Sequence, residues 1–291
     1  MSRPGDRSRK ARYEEGSLTI DQSQYADAKG LHLLFAAGKR PSRAAIKEFV
    51  ATQRTVSISH DPSDDTPLQL VATDSEGLPT DGDQRLDSCD DIWLELLREG
   101  LTFDLRGIAP GQACEFPEFE HRFDLEKSSG SFRLEALLLE PGQHLTGGEA
   151  SIPVVKSMIA LARDLVHHFE DLVAVVWPPS KSAIGRRFFE SIATAWLEGG
   201  AFPALGLTAF REAIDGALQS VGLEFWIGQE LRIEPPLSAD KVAATRLGVR
   251  IINQLIIVGG LEDSERIVAP DGTRLVMRPS RNRKFARVWR E

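Results

Sequence analysis

The chain contains few cysteines: only Cys89 and Cys114 occur among its 291 residues. Their spacing fits neither a metal-binding motif nor the framework of a disulfide-stabilised secreted domain. The N-terminus also lacks the apolar segment of a secretory signal, since residues 1–10 have the sequence MSRPGDRSRK. We therefore expect reduced thiols and a cytoplasmic location.

The chain also lacks a long apolar run and an excess of positive charge. The best candidate for a membrane span, residues 249–258, is too short and contains Arg250, Asn253 and Gln254. The 43 acidic residues outnumber the 35 basic ones and give a net charge of −8. Phosphate binding needs concentrated Lys and Arg, so the composition argues against nucleic acid as a partner. An acidic surface suits either solubility or a basic protein partner.

The remaining composition is that of a globular protein, with 42% hydrophobic and 27% charged residues. Residues 1–29 are polar and show no periodicity, which predicts a flexible leader. A stretch over 107–128, rich in Gly, Pro and Glu, separates an N-terminal half, residues 30–128, from a C-terminal half, residues 129–291.

Apolar periodicity predicts alternating elements in the N-terminal half. We expect a helix that begins after Ser42 and a second one that begins at Ser88, whose apolar positions are Ile92, Trp93, Leu96 and Leu97. Strands are predicted over residues 31–36, 56–59, 68–71 and 101–105.

The C-terminal half is patterned more clearly. Helices are predicted over 151–168 and 182–197 and from Ser238 to residue 258. Strands are predicted over 132–139, 172–177, 205–210, 222–227, 230–233, 266–269 and 273–277, with a tight hairpin at Gly228-Gln229. The expected fold class is α+β, with mixed or mainly antiparallel sheets packed by long helices. The two halves share a similar order of elements, and whether this reflects a duplication stays open.

The strongest local signal lies where the apolar run 172–177 meets Pro178-Pro179 and a predicted helix. The first turn of a helix attracts anions through free backbone N–H groups and the positive end of the dipole. We therefore predict a ligand-binding site at Ser180, Lys181, Ser182 and Arg186. The segment is no Walker A loop, because glycines do not precede the lysine. The alternative is that a serine only caps the helix and that Lys181 is a solvated cation.

Other polar clusters give weaker signals. His167 and His168 are adjacent, so they point about 100° apart on a helix and do not share a metal ion readily. Aspartates between residues 81 and 91 do not match a calcium loop and are expected to stabilise a helix start. Glu230 and Glu234 are expected on one solvated strand face together with Glu224 nearby. We predict no catalytic residue, no metal ligand and no cofactor.

The segment 274–290 is basic and includes Phe285 and Trp289. Such a segment can bind single-stranded nucleic acid by phosphate contact and stacking. In an acidic protein it can instead dock on its own acidic surface or on a protein partner, and we favour this interpretation.

Residues 132–260 contain Val-Val-Trp-Pro-Pro-Ser, and Gly222-Leu-Glu followed by Gly228-Gln-Glu-Leu. In these motifs the segment resembles a bacterial family, the domain of unknown function numbered 4261. The resemblance implies no established activity and no catalytic residues. Families of this kind often accompany bacterial toxin, immunity and secretion genes. We therefore expect a non-enzymatic protein-interaction module, for example an immunity or accessory factor, and as the alternative an enzyme or binding protein for small anions or phosphoesters that uses residues 180–187.

Overall fold

The computed structural model describes residues 30–63, 92–125 and 133–291, which form an α+β fold with two mixed, mostly antiparallel sheets. The predicted fold class is confirmed. The strands are β1 (Leu31–Ala36), β2 (Val56–His60), β3 (Trp93–Arg98), β4 (Leu101–Arg106), β5 (His121–Phe123), β6 (Leu134–Pro141), β7 (Leu172–Trp177), β8 (Ser182–Gly185), β9 (Ala209–Glu212), β10 (Leu218–Val221), β11 (Glu230–Ile233), β12 (Glu265–Val268), β13 (Arg274–Pro279) and β14 (Phe285–Arg290). The helices are α1 (Arg43–Thr52), α2 (Ile152–His168), α3 (Arg186–Leu197), α4 (Ala204–Leu207), α5 (Glu224–Ile227) and α6 (Lys241–Val258).

The first sheet has the strand order β2-β3-β4-β6-β1-β7-β8-β5, and only β5 and β8 are parallel. Strand β1 is central, because Leu33 pairs with Leu137 of β6 on one side and with Val175 of β7 on the other. Strands from both sides of residue 129 therefore share one sheet. The sheets divide later along the chain, between β8 and β9, while the division into domains at residue 128 stays a prediction.

Both faces of the first sheet are covered. On one face, Leu31, Leu33 and Phe35 of β1 join the main core, to which α2 contributes its apolar stripe. On the other face, Leu34 belongs to a second, smaller cluster against which Phe116 and other residues of the 107–125 segment pack. Alternate side chains of β1 therefore pack into two separate cores, because this strand is buried on both faces of the sheet.

The second sheet has the order β12-β13-β14-β11-β10-β9, and only β11 and β14 are parallel. Helix α6 packs against β10 and β11, and the absence of a side chain at Gly248 lets the ring of Phe210 approach its backbone. The N-cap of α6 is Asp240, whose carboxylate accepts from the backbone N–H groups of Val242 and Ala243 at 3.0 Å each. The predicted cap, Ser238, instead donates to Gly216 O at 2.6 Å.

The helix predicted from Ser88 is wrong where the structure describes it. Residues 93–98 form strand β3, which continues through a turn at Glu99-Gly100 into β4. In this strand Leu94, Leu96 and Arg98 are buried, so the apolar positions that suggested a helix are divided between two strand faces. The predicted helix from Ser88 was one of the elements that the two halves had in common, so the similarity between the halves is reduced. The strand predicted at 68–71 and the aspartates between 81 and 91 lie outside the described residues.

Three predictions in the C-terminal half also need correction. The helix predicted over 182–197 begins at Arg186, because residues 182–185 pair with β7 as strand β8. The strand and hairpin predicted from Gly222 are absent, since residues 224–227 form the single-turn helix α5 and β11 pairs with β10 instead. The strand predicted over 205–210 begins at Ala209. None of the helices in the described residues combines the length and the apolar character of a membrane span.

Candidate functional site

A cleft of about 470 Å³ lies where the connection between β7 and β8 meets the second sheet. The connection contributes Pro178, Pro179 and Lys181, and Glu120 lies beside it. The opposite wall comes from β9, β10, β11 and the start of β14. The cleft therefore adjoins the segment that the sequence marks most strongly.

The connection folds so that its two serines face inward. Residues 178–180 form one turn of 3₁₀ helix, and Lys181 follows in the left-handed conformation with φ 50°. Ser180 and Ser182 are fully buried; their Oγ atoms lie 2.7 Å apart, and Ser180 Oγ lies 2.9 Å from Gly206 O. These hydroxyls bond within the protein and reach neither the cleft nor a helix start.

The four predicted ligand-binding residues do not share a surface. Lys181 lines the cleft, and its Nζ lies 2.6 Å from Glu120 Oε1. The Arg186 side chain instead reaches the C-terminus of α2, where Nε donates to Val166 O at 3.1 Å. Only Lys181 of the four lines the cleft, and ligand binding by these residues stays a prediction.

The wall on the second sheet carries an amide and two cations. Gln219 of β10 pairs with Arg211 of β9, so both side chains lie on the same face of the sheet. Gln219 is only 8% exposed, and its amide makes no hydrogen bond to any described residue, although it lines the cleft. Neither Arg211 nor Lys284 forms an ion pair with a described residue.

The Glu230 carboxylate closes one end of the cleft but is already fully bonded. It accepts from the Gly222, Leu223 and Glu224 backbone N–H groups at 2.8, 3.3 and 3.2 Å, and from the Ser220 hydroxyl. Burial raises the pKa of Glu230, and the four hydrogen bonds act in the opposite direction. Its role in the fold is to hold the turn at residues 222–224 against β11.

Gly222 allows the two walls to meet at the bottom of the cleft. Its φ is +89°, and a Cβ at this position would lie 2.8 Å from Pro179 O and from the backbone of Ser180. Only glycine combines this conformation with such a close approach. The Gly-Leu-Glu segment that carries the family resemblance therefore makes the contact between the two loops.

The cleft is lined by three carboxylates, Glu120, Glu224 and Glu230, and by three cations. The hydrogen bond and the charge of Lys181 lower the pKa of Glu120, so these two residues neutralise each other. Glu230 is stabilised by neutral donors. Arg211 and Lys284 then supply positive charge that no described carboxylate pairs directly. The cleft can accept an anion next to the unbonded Gln219 amide.

Comparison of the chain with known protein families, with curated proteins and with solved structures finds no match. The resemblance to the domain family therefore stays a prediction.

The structure also places the other residues singled out in the sequence. His167 Nδ1 lies 2.7 Å from Glu190 Oε1, and the ring of His168 packs edge-on against Phe49. No group of three or more potential metal ligands occurs among the described residues. Glu230 and Glu234 are not on the solvated face predicted for them, since Glu234 is 5% exposed.

The basic C-terminal segment forms β13 and β14. Arg287 Nε donates to Glu234 Oε1 at 2.6 Å, and its guanidinium lies 5.0 Å from the centre of the Trp289 ring. One arginine of this segment therefore pairs with an acidic residue of its own chain, while docking on a protein partner stays a prediction.

Sequence reasoning missed three residues of the cleft, namely Arg211, Gln219 and Lys284. All three are far from Lys181 along the chain, and no pattern connects Lys181 with the basic segment 274–290 to which Lys284 belongs. Only the pairing of β9 with β10 could have suggested that Arg211 and Gln219 lie side by side.

Proposed function

We propose that the protein binds a small organic anion in the cleft between the two sheets. The observation that carries the proposal is the pair of cations Arg211 and Lys284, which form no ion pair with a described residue and line the cleft together with the Gln219 amide. A ligand oxygen can form charge-assisted hydrogen bonds with the two cations, and these are stronger than hydrogen bonds between neutral groups.

The lining residues favour an anion with an apolar body. A carboxylate or phosphate oxygen can accept from Arg211 and Lys284, and the Gln219 amide can bond to a neighbouring polar atom. Phe285, Pro178 and Pro179 offer apolar contacts on both sides. The volume lies within the range of about 300–1,000 Å³ that is common for small-molecule sites.

We propose binding without a chemical step at this cleft. Ser220 carries the one hydroxyl among the described lining residues, and it donates to Glu230 while it accepts from Leu231 N at 2.7 Å. Both hydrogen bonds hold the Ser220 hydroxyl within the wall of the cleft.

A panel of small anions tests the proposal. Thermal unfolding would be followed with inorganic phosphate, nucleoside monophosphates, and aliphatic and aromatic carboxylates, and every hit would be titrated calorimetrically. A ligand at about 100 times its Kd should raise the Tm by about 5 °C or more. If no member of the panel shifts the Tm, the proposal is wrong.

Substitutions then place the site. We expect Arg211→Ala and Lys284→Ala each to weaken binding about tenfold or more, because each removes a charge-assisted hydrogen bond. Arg187→Ala is the matched control, since Arg187 is exposed on α3 and does not line the cleft. Equal losses in all three variants would indicate a general charge effect instead of a site.

A further inference from the structure

A second concave surface lies between α6 and the turn that joins β12 to β13. It encloses about 360 Å³ and is separate from the cleft, because the two share no lining residue. Its apolar lining includes Leu237, Leu247, Leu275 and Pro270. We call this surface the α6 groove.

Three arginines surround the α6 groove. Arg246 and Arg250 are one turn apart on α6 and lie on the same side of the helix, and Arg290 comes from the end of β14. Neither Arg246 nor Arg250 forms an ion pair with a described residue. Asp271 is the one acidic residue of the described lining, and Arg290 contributes to the lowering of its pKa, after hydrogen bonds with Thr273 and the backbone. The groove is thus positive on a chain of net charge −8.

An exposed apolar side chain extends this surface. Val242 is 61% exposed and lies one turn before Arg246 on the same side of α6. Large apolar side chains exposed beside a concave apolar surface are typical of interaction sites.

We propose that the α6 groove binds an acidic segment of a partner protein, in which an apolar side chain is flanked by Asp or Glu. The apolar side chain would contact Leu237, Leu247 and Leu275, and the flanking carboxylates would pair with Arg246 and Arg250. Arginine is well suited to this task because its planar group accommodates a carboxylate in a bidentate manner.

The lining favours a protein segment over nucleic acid. The described lining of the groove contains no aromatic residue on which a base could stack, and Asp271 would repel a phosphate chain. The net charge of −8 opposes a long polyanion more than a short segment with two or three carboxylates.

Synthetic peptides provide the test. Each peptide carries one Leu, Ile, Val, Met or Phe between Asp and Glu residues, and each is matched with a version in which Asn and Gln replace the acids. Fluorescence anisotropy with the full chain should show saturable binding of an acidic peptide and at least about tenfold weaker binding of its neutral match, since two charge pairs are lost.

Two double variants localise the binding. R246E/R250E should weaken the acidic peptide by at least about tenfold, because attraction becomes repulsion. R246Q/R250Q removes the two positive charges without introducing negative ones. It replaces the first variant in the test if that variant does not fold. R281E/R283E is the control, since it changes the net charge equally at exposed residues outside the groove.

Three results would overturn the proposal. The first is that no acidic peptide of the set binds, and the second is that neutral and acidic peptides bind equally. The third is that a single-stranded oligonucleotide binds more tightly than any peptide in a way that depends on Arg246 and Arg250, which would assign the groove to nucleic acid. None of them affects the proposal for the cleft, which is tested with small anions and other variants.

Discussion

At the scale of single residues, His32 shows how burial controls protonation. It lies in the central strand of the first sheet, is 5% exposed, and its Nδ1 has no hydrogen-bond partner among the described residues. Burial lowers the pKa of His32 from 6.5 to about 4, against the opposing effect of a hydrogen bond with the Glu115 backbone. The folded protein therefore holds a neutral imidazole over a pH range in which the unfolded chain binds a proton.

This difference predicts a loss of stability in mild acid. Above pH 6.5 both states are neutral at His32, and as the pH falls towards 4 only the unfolded state gains the proton. The free energy of unfolding should fall by about 3 kcal/mol over this range from His32 alone. His32→Gln should remove that part of the pH dependence, as measured by urea unfolding across the range. At about pH 8 the difference in unfolding free energy between the two proteins reports the change in packing alone. If their unfolding free energies changed in parallel below this pH, the prediction would be contradicted.

The hydrogen bonds of Glu230 predict how the stability changes when an amide replaces its carboxylate. In Glu230→Gln the amide NH₂ would face N–H groups that now donate to the carboxylate, so buried donors would lose their acceptor. We expect the free energy of unfolding to fall by about 1–3 kcal/mol.

The matched control for Glu230→Gln is Glu212→Gln, at an exposed residue paired only with Lys241. It should change the stability by less than about 0.5 kcal/mol. Chemical denaturation compares the two, and equal effects would show that the turn at residues 222–224 does not depend on Glu230.

At the scale of elements, an aromatic cluster connects the first sheet to helix α5. Trp177 of β7 contacts Phe225 and Trp226 of α5, with ring centres 5.3 and 5.9 Å away. The two tryptophans differ in their polar atoms. Trp177 Nε1 donates to Leu207 O at 3.0 Å, whereas the buried Nε1 of Trp226 has no partner among the described residues.

This difference predicts unequal costs for the same substitution. Trp177→Phe leaves the carbonyl of Leu207 without its donor, whereas Trp226→Phe removes an N–H group that has no described acceptor. Beyond the packing that both variants lose, Trp177→Phe should therefore cost about 1–3 kcal/mol more in the free energy of unfolding. Urea titrations of both variants measure this, and a larger loss for Trp226→Phe would contradict it.

At the scale of the whole molecule, one hydrophobic cluster runs through both sheets and the helices. It contains Leu33 of the first sheet, Leu231 of the second, and side chains of α2 and α6. Strand β1 in turn depends on β6 and β7 for all its pairing. Folding of the N-terminal half thus requires strands that follow it in the chain.

We therefore expect a fragment of residues 1–128 not to fold by itself. Strand β1 would lack both neighbours, and the core face of the sheet would lack α2. Circular dichroism and urea titration should show no cooperative transition for the fragment, whereas the full chain unfolds cooperatively. A folded fragment would instead support an independent N-terminal domain.

The sequence predicts elements well where the signal is local. The helix over 151–168 and the strand over 172–177 combine clear periodicity with proline or polar boundaries, and the structure has both. Residues 93–98 show the limit, because Trp93, Leu96 and Leu97 fit a helical face as well as a strand. Pairing with β2 and β4, which no local pattern reveals, decides in favour of the strand.

The sequence by itself determined the α+β class, the main long helices, and the break in the chain at Pro178-Pro179 after β7. The tertiary structure decided what that break does. It buried Ser180 and Ser182, turned Arg186 towards α2, and brought Lys181 opposite Arg211, Gln219 and Lys284. The physical reason is that helix and strand patterns arise from neighbours along the chain, whereas a cleft forms between segments that meet only when the sheets pack together.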